Sequence, residues 1–361
     1  PQLGTLGFTR ALENEGKCDA VWAFRHAEAG PYGRFLHSRG LMEEYCEDHL
    51  RRAQNPLDFQ AAAIPAEAYA DNWVTENALA ELRSLAEGGR PWFLMVNFSG
   101  PHDPWDVTQD MRRRWERTEF PIPGDYTGPA GALMGVRQNY AAMLENIDSC
   151  VGAVLEELER LGQGRETVVI YSADHGEMLG DRNRFFKSLP YQPSVHIPLL
   201  ISGPGILQNH ICASLVQLHD LAATIAALAG SAMPPGTDAK SLLPLAAGKD
   251  APPVRNYQYT ALYPRLRAPG GAIAGYEEYG DFRKRQAEPG RGSPPGWRCL
   301  ITERFKYVEY LEGGRPELYD LLLDADEAHN IAEEAPALLR KFQTLLAGHF
   351  PANSSMEERK R

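Results

Sequence analysis

At 361 residues, 43% hydrophobic and 24% charged, the chain has the balance of a globular protein long enough for one large domain and a smaller one. Its formal net charge of -11 leaves no excess of basic side chains to neutralise phosphates, which argues against nucleic acid as a general partner. No apolar run approaches the ~20 residues that span a bilayer, so no membrane span is expected.

The five cysteines, Cys18, Cys46, Cys150, Cys212 and Cys299, are odd in number and lack C-x-x-C spacing. They give neither a zinc site nor a disulfide framework and read as plain thiols, a pattern that leans toward a reducing compartment.

In chain order, Phe8 to Glu15 reads as a short helical piece and Asp19 to Phe24 as a strand ending at Arg25 and His26. Residues 31 to 65 have little periodicity and are expected to form helical turns and loop. Tyr69 to Glu87 repeats Trp73, Leu79, Leu82 and Leu85 at helical spacing, and Gly88-Gly89 stops it. Trp92 to Phe98 is an apolar strand. It ends in Ser99-Gly100-Pro101, which presents His102 and Asp103 before Pro104. Two prolines restrict the backbone on both sides of His102, and an imidazole held this way suits proton transfer or anion contact; the plainer reading is a loop histidine bonded to a carbonyl. Trp105 follows, a flat aromatic placed to shape a substrate pocket, and then the solvated cluster Arg112-Arg113-Arg114.

Val136 to Leu161 is predicted as a long helix with an apolar stripe of Tyr140, Leu144, Ile147, Val151, Val154, Leu155 and Leu158. It feeds a strand, Thr167 to Tyr171, whose end carries Asp174, His175 and Gly176. In an open α/β sheet the carboxyl ends of strands are where ligands bind. A carboxylate oxygen and a neutral imidazole nitrogen side by side there form a donor pair for a divalent cation, or else an ordinary Asp-Gly turn. Lys187 follows after a loop containing Arg182 and Arg184 and offers a positive charge to a bound anion.

A helix over Leu215 to Ala229 closes the main domain, and Pro234-Pro235-Gly236 and Pro252-Pro253 mark a boundary. The expected domains are therefore 1–253 and 254–361. In the second, 264–295 reads as a long loop, Trp297 to Tyr310 as one strand, Glu317 to Leu321 as its hairpin partner, Pro336 to Leu346 as a helix, and the tail from Ser354 as disordered.

The two turns, in this order and separated by a long amphipathic helix, resemble the sulfatases of the alkaline-phosphatase-like superfamily. In that family a strand ends in P-H-x-P and a later one in S-D-H/N-G-E-x-L-G followed by a Lys. Here the corresponding residues are Pro101-His102-Asp103-Pro104, then Ser172-Ala173-Asp174-His175-Gly176-Glu177-Met178-Leu179-Gly180, then Lys187. Val195-His196-Ile197-Pro198-Leu199, Gly203-Pro204-Gly205, Gln217-Leu218-His219-Asp220-Leu221 with Thr224, and Pro316-Glu317-Leu318-Tyr319-Asp320-Leu321 extend the resemblance over almost the whole chain.

The resemblance implies an α/β fold, a mixed sheet flanked by helices, with a small C-terminal antiparallel sheet plus helix. It implies hydrolysis of a small anionic sulfate ester. Asp174 and His175 would hold a divalent cation, calcium first, with magnesium or manganese as alternatives. Lys187 would stabilise charge on the transferred group, and His102 would contact that group or protonate the leaving alcohol. His26 falls on the His of the family's G-K-W-H unit, which contacts the sulfate, whereas Phe24 stands where its Lys is expected. The family also opens with a strand bearing paired acids and a C/S-x-P-S/A-R stretch whose Cys or Ser becomes formylglycine. Neither occurs here, so the chain reads as a fragment without that part. Two alternatives stand beside this one: a phosphonate or phosphate ester hydrolase of the same superfamily, and a non-catalytic binding protein that keeps the fold. Phe24, with Gln192 and His196 where many relatives carry Glu and Arg, favours the latter.

Overall fold

The computed structural model describes residues 4, 7–25, 29–263, 296–311 and 313–349, which form two compact units. The first holds the described residues up to Glu166 together with Leu179–Phe185; the second holds Thr167–Met178 and the described residues from Phe186 onward. His26, the 264–295 loop and the tail from Ser354 lie outside the described residues.

The first unit is helical. Helix α1 spans Lys17–Arg25, where a strand is expected from the run Ala-Val-Trp-Ala-Phe. A short continuous apolar run suits a buried helix as well as a strand. Here Asn14 accepts from the Gly16 amide at 3.0 Å and Gly16 takes φ 78°, which turns the chain into a helix that buries Lys17, Ala20 and Val21 at i, i+3 and i+4. Phe8 to Glu15, expected as helical, is irregular, and its last residue is used elsewhere. The Glu15 carboxylate accepts from the amides of Tyr32 and Gly33, at 3.0 and 3.1 Å, at the start of α2, Pro31–Ser38. Helix α3, Met42–Gln54, packs with α1 and α2, and α4, Ala70–Glu87, matches its predicted extent.

Trp92 to Phe98 alternates in exposure as a strand does, yet it joins no ladder among the described residues. Helix α5, Gln109–Trp115, is capped by Thr108, whose hydroxyl accepts from the Met111 amide at 3.3 Å. Helix α6, Ala130–Arg160, packs on α4 and α5, with a buried face rotated from the predicted stripe. Leu144 and Leu155 are exposed, whereas Gln138, Asn139, Asn146 and Cys150 are buried. The reason is hydrogen bonding: Asn139 donates to the Trp105 carbonyl at 2.7 Å and accepts from Arg112 at 2.9 Å, and Gln138 donates to the carbonyls of Glu116 and Thr118. Among the described residues no helix is long and apolar enough to cross a membrane.

In the second unit β1, Val169–Ser172, pairs antiparallel with β2, Leu199–Ser202, and between them lies one turn of helix, α7, Gln192–Val195. Helices α8, Asp220–Leu228, and α9, Leu243–Ala247, follow. A four-stranded antiparallel sheet has the order β3 (Gln258–Leu262), β4 (Trp297–Ile301), β5 (Phe305–Tyr310) and β6 (Glu317–Asp320). The single strand expected over 297–310 is thus two strands. A tight turn separates them, in which the Thr302 amide donates to Phe305 O at 2.8 Å and the Phe305 amide returns to the Thr302 hydroxyl. Leu300, Tyr307 and Leu318 face α10, Pro336–His349, through its Phe342 and Leu346, while Trp297, Cys299, Ile301 and Val308 line the other face. All five cysteines are free thiols, and burial pushes the Cys299 thiol up to about 12.

Candidate active site

In the first unit the turn carrying His102 is gripped from both sides by buried charge. Asp71, on α4, accepts from the amides of Ser99 and Gly100 at 2.7 and 3.0 Å. Burial pushes the Asp71 carboxyl above its usual range, against the pull of Lys17 and of these amides. From the other side Lys17, on α1, donates to the carbonyls of His102 and Pro104 at 3.0 and 3.2 Å and to Asp106 Oδ1 at 2.7 Å. Burial alone would raise the Asp106 carboxyl; Lys17, with His49 and Arg52, outweighs it and holds Asp106 below the usual carboxylate range.

The His102 ring is fixed as well. Its Nδ1 lies 2.7 Å from the Asp103 carbonyl oxygen, which only accepts, so Nδ1 carries the hydrogen and Nε2 is the atom that gains or loses a proton. Asp103 Oδ1 lies 3.1 Å from the same nitrogen. Trp105 is 1% exposed and packs 5.8 Å from the Phe185 ring, so in this structure it is a packing surface and not an open pocket wall.

Sequence reasoning missed Lys17, Asp71 and Asp106. Gly16 offers a local signal for the turn into α1, though none that marks Lys17 as a buried partner of a later turn. Asp71 and Asp106 carry no such signal, because an acid on a helix or after a turn reads as a solvated charge until its partners are known.

In the second unit the turn after β1 holds Asp174 and His175. The Asp174 side chain is 83% exposed, and its Oδ1 accepts from the His175 amide at 3.0 Å. His175 Nδ1 lies 2.8 Å from the Gly176 carbonyl, so the hydrogen sits there, and Nε2 lies 3.5 Å from Asp174 Oδ2. A metal-binding imidazole commonly donates its other N–H to a carbonyl in this way. The pair therefore fits a divalent cation as two of its donors, an oxygen and a nitrogen. Among the described residues no group of three or more His, Cys, Asp and Glu side chains gathers into a fuller cage.

Gly176 is required by close packing: its amide donates to Ser194 O at 2.8 Å, and a Cβ there would collide with the Pro193 carbonyl. The loop returns through the Met178 amide, bonded to Phe186 O at 3.0 Å, and the Phe186 amide, bonded to Glu177 Oε1 at 2.5 Å. This return sets Lys187 next in the chain to residues that pair with the Asp174 turn. Lys187 is partly buried and is flanked by Phe186 at φ 68° and Ser188 at φ 73°, both left-handed. Such backbone costs on the order of 1 kcal/mol or more per residue and persists where neighbours over-determine it. Ser188 O accepts from Trp297 Nε1 at 3.0 Å, one such neighbour.

The Sulfatase family model matches residues 10–231. Arylsulfatase K of Mus musculus is 33% identical over 208 residues, 57% of this chain and 34% of its own. Choline-sulfatase of Rhizobium meliloti is 30% identical over 298 residues, 73% of this chain and 52% of its own. The chain thus spans about a third to a half of the length of these relatives. Among solved structures, a phosphonate monoester hydrolase from Silicibacter pomeroyi superposes with a TM-score of 0.68 at 22% identity, over 84% of this chain and 67% of that one. That likeness supports the expected alkaline-phosphatase-like α/β fold.

Proposed function

Because the chain belongs to the sulfatase family, we propose that it contributes the residues by which a hydrolase of small anionic sulfate esters binds its cation and its substrate. The observation that carries this reading is the Asp174–His175 pair, an exposed carboxylate beside an imidazole whose Nδ1–H is already given to a carbonyl. Asp174 and His175 would hold a divalent cation, calcium before magnesium or manganese. When bound, the cation supplies Lewis-acid polarisation of the ester oxygens, and the formylglycine of the family supplies the nucleophile.

The remaining roles belong to this chain's own side chains. Lys187 neutralises the anionic oxygens of the transferred group. His102, with Nδ1–H given to the Asp103 carbonyl, exchanges a proton at Nε2 with the leaving oxygen. Lys17 holds the His102 turn through two carbonyls. The net reaction adds water across the ester and releases the alcohol and inorganic sulfate.

The test is a comparison of kcat/KM for an aryl sulfate, an aryl phosphonate and an aryl phosphate with the full-length protein. The reading predicts the sulfate as the best substrate. A phosphonate or phosphate turned over faster would move the assignment to the sister activity.

A further inference from the structure

A buried ion pair in the C-terminal sheet is linked by hydrogen bonds to the Asp174–His175 turn, and all its members lie in the second unit. Lys306, on β5, and Glu327, in the loop after β6, have side chains 0% and 1% exposed, with Nζ 2.5 Å from Oε1. Glu327 sits at φ 56°, a left-handed conformation that a non-glycine residue holds only under constraint. Its second oxygen, Oε2, accepts from the Gln192 amide at 2.7 Å, the first residue of α7. Two residues on, Ser194 O accepts from the Gly176 amide at 2.8 Å, and Gly176 O takes the Nδ1–H of His175. A parallel tie runs from Glu317, which accepts from Tyr310 at 2.9 Å and from Tyr191 at 3.3 Å.

Stability alone does not account for the pair. Burying two charges strips both of water before their attraction returns the cost, and a well-packed apolar pair commonly serves as well. An apolar pair has no acceptor for the Gln192 N–H, which opens a helix of a single turn with no side-chain cap of its own. We propose that Glu327, fixed by Lys306, is a positioning residue for the cation-binding turn: it sets the start of α7, and the α7 backbone sets Gly176 and the His175 ring. The proposal rests on the reading of Asp174 and His175 as the cation-binding pair.

Two double variants of the full-length protein separate positioning from simple stability. In Lys306→Met with Glu327→Gln, the amide oxygen still accepts from Gln192 and no unpaired charge is left. In Lys306→Met with Glu327→Leu, the acceptor is gone as well. Two readouts are taken: amide hydrogen exchange at Gly176 and Gln192, and kcat and KM for an aryl sulfate. Expected is near-wild-type behaviour for the Gln form. The Leu form is expected to lose protection at both amides by at least tenfold and to lose kcat by a similar factor.

Indistinguishable behaviour of the two forms, both intact or both impaired, overturns the proposal. Should the Leu form fail to fold, Gln192→Pro removes the same N–H at a position where proline suits a first helical residue. It is expected to expose the Gly176 amide, and retained protection there overturns the proposal equally. A wild-type protein that does not hydrolyse sulfate esters would count against the functional reading, while the exchange data still decide the role of Glu327.

Discussion

Lys17 and His102 are 85 positions apart in the chain, yet the Lys17 ammonium donates to the His102 carbonyl at 3.0 Å. The same ammonium holds Asp106, so one buried cation fixes the turn on which the imidazole depends. Lys17 is the first residue of α1, two positions before the run in which a strand is expected.

Lys17→Met should destabilise the protein by roughly 3–5 kcal/mol, because it leaves Asp106 buried without its partner. Adding Asp106→Leu should recover most of that loss in urea unfolding. Turnover should stay depressed in both, since neither restores the grip on the His102 and Pro104 carbonyls. Full recovery of turnover in the double variant would reduce Lys17 to a structural ion pair.

Asp71 works as an acceptor for two amides, and its charge is a burden on the fold. Asp71→Asn should therefore be no less stable than wild type at pH 7, while Asp71→Ala should lose about 1–3 kcal/mol for each stranded N–H. Equal losses in the two variants would show that the charge itself is required.

The acid limb of stability should follow the two carboxylates in opposite senses. The folded pKa of Asp106 lies below its unfolded value near ~3.9, so its contribution is present above about pH 4 and is lost as pH falls through the folded value. The pKa of Asp71 is raised, so its ionisation costs stability as pH climbs from the unfolded value through the folded one. Tm measured from about pH 3 to 7 should lose part of its acid fall in Asp106→Asn and part of its decline at higher pH in Asp71→Asn. The reverse assignment would contradict the burial argument.

Gly176→Ala should cost about 1–3 kcal/mol and disturb cation binding, because the added methyl group meets the Pro193 carbonyl. Binding of calcium followed by calorimetry checks this in the full-length protein. An unaltered affinity would mean that the turn tolerates displacement from α7.

Most of the elements were readable because their periodicity is local. Helix α4 shows its apolar spacing and its Gly-Gly stop, and β1 with the Asp-His-Gly turn shows a short run rich in β-branched residues closed by glycine. Three features escaped for physical reasons. The run at Ala20 to Phe24 is too short to separate strand from buried helix without its Asn14–Gly16 turn. The buried face of α6 is set by amides whose partners lie on other segments, as Asn139 shows with Trp105 O. The clamp of Lys17, Asp71 and Asp106 joins residues dozens of positions apart, and no window along the chain contains it.

Whether Asp174 holds the cation is decided by turnover of an aryl sulfate by the full-length protein and by its Asp174→Ala variant, with the cation present and then chelated. Chelation should stop turnover by the wild-type protein, and Asp174→Ala should lose on the order of 100-fold or more in turnover at unchanged Tm. Wild-type turnover in Asp174→Ala would contradict this role for Asp174.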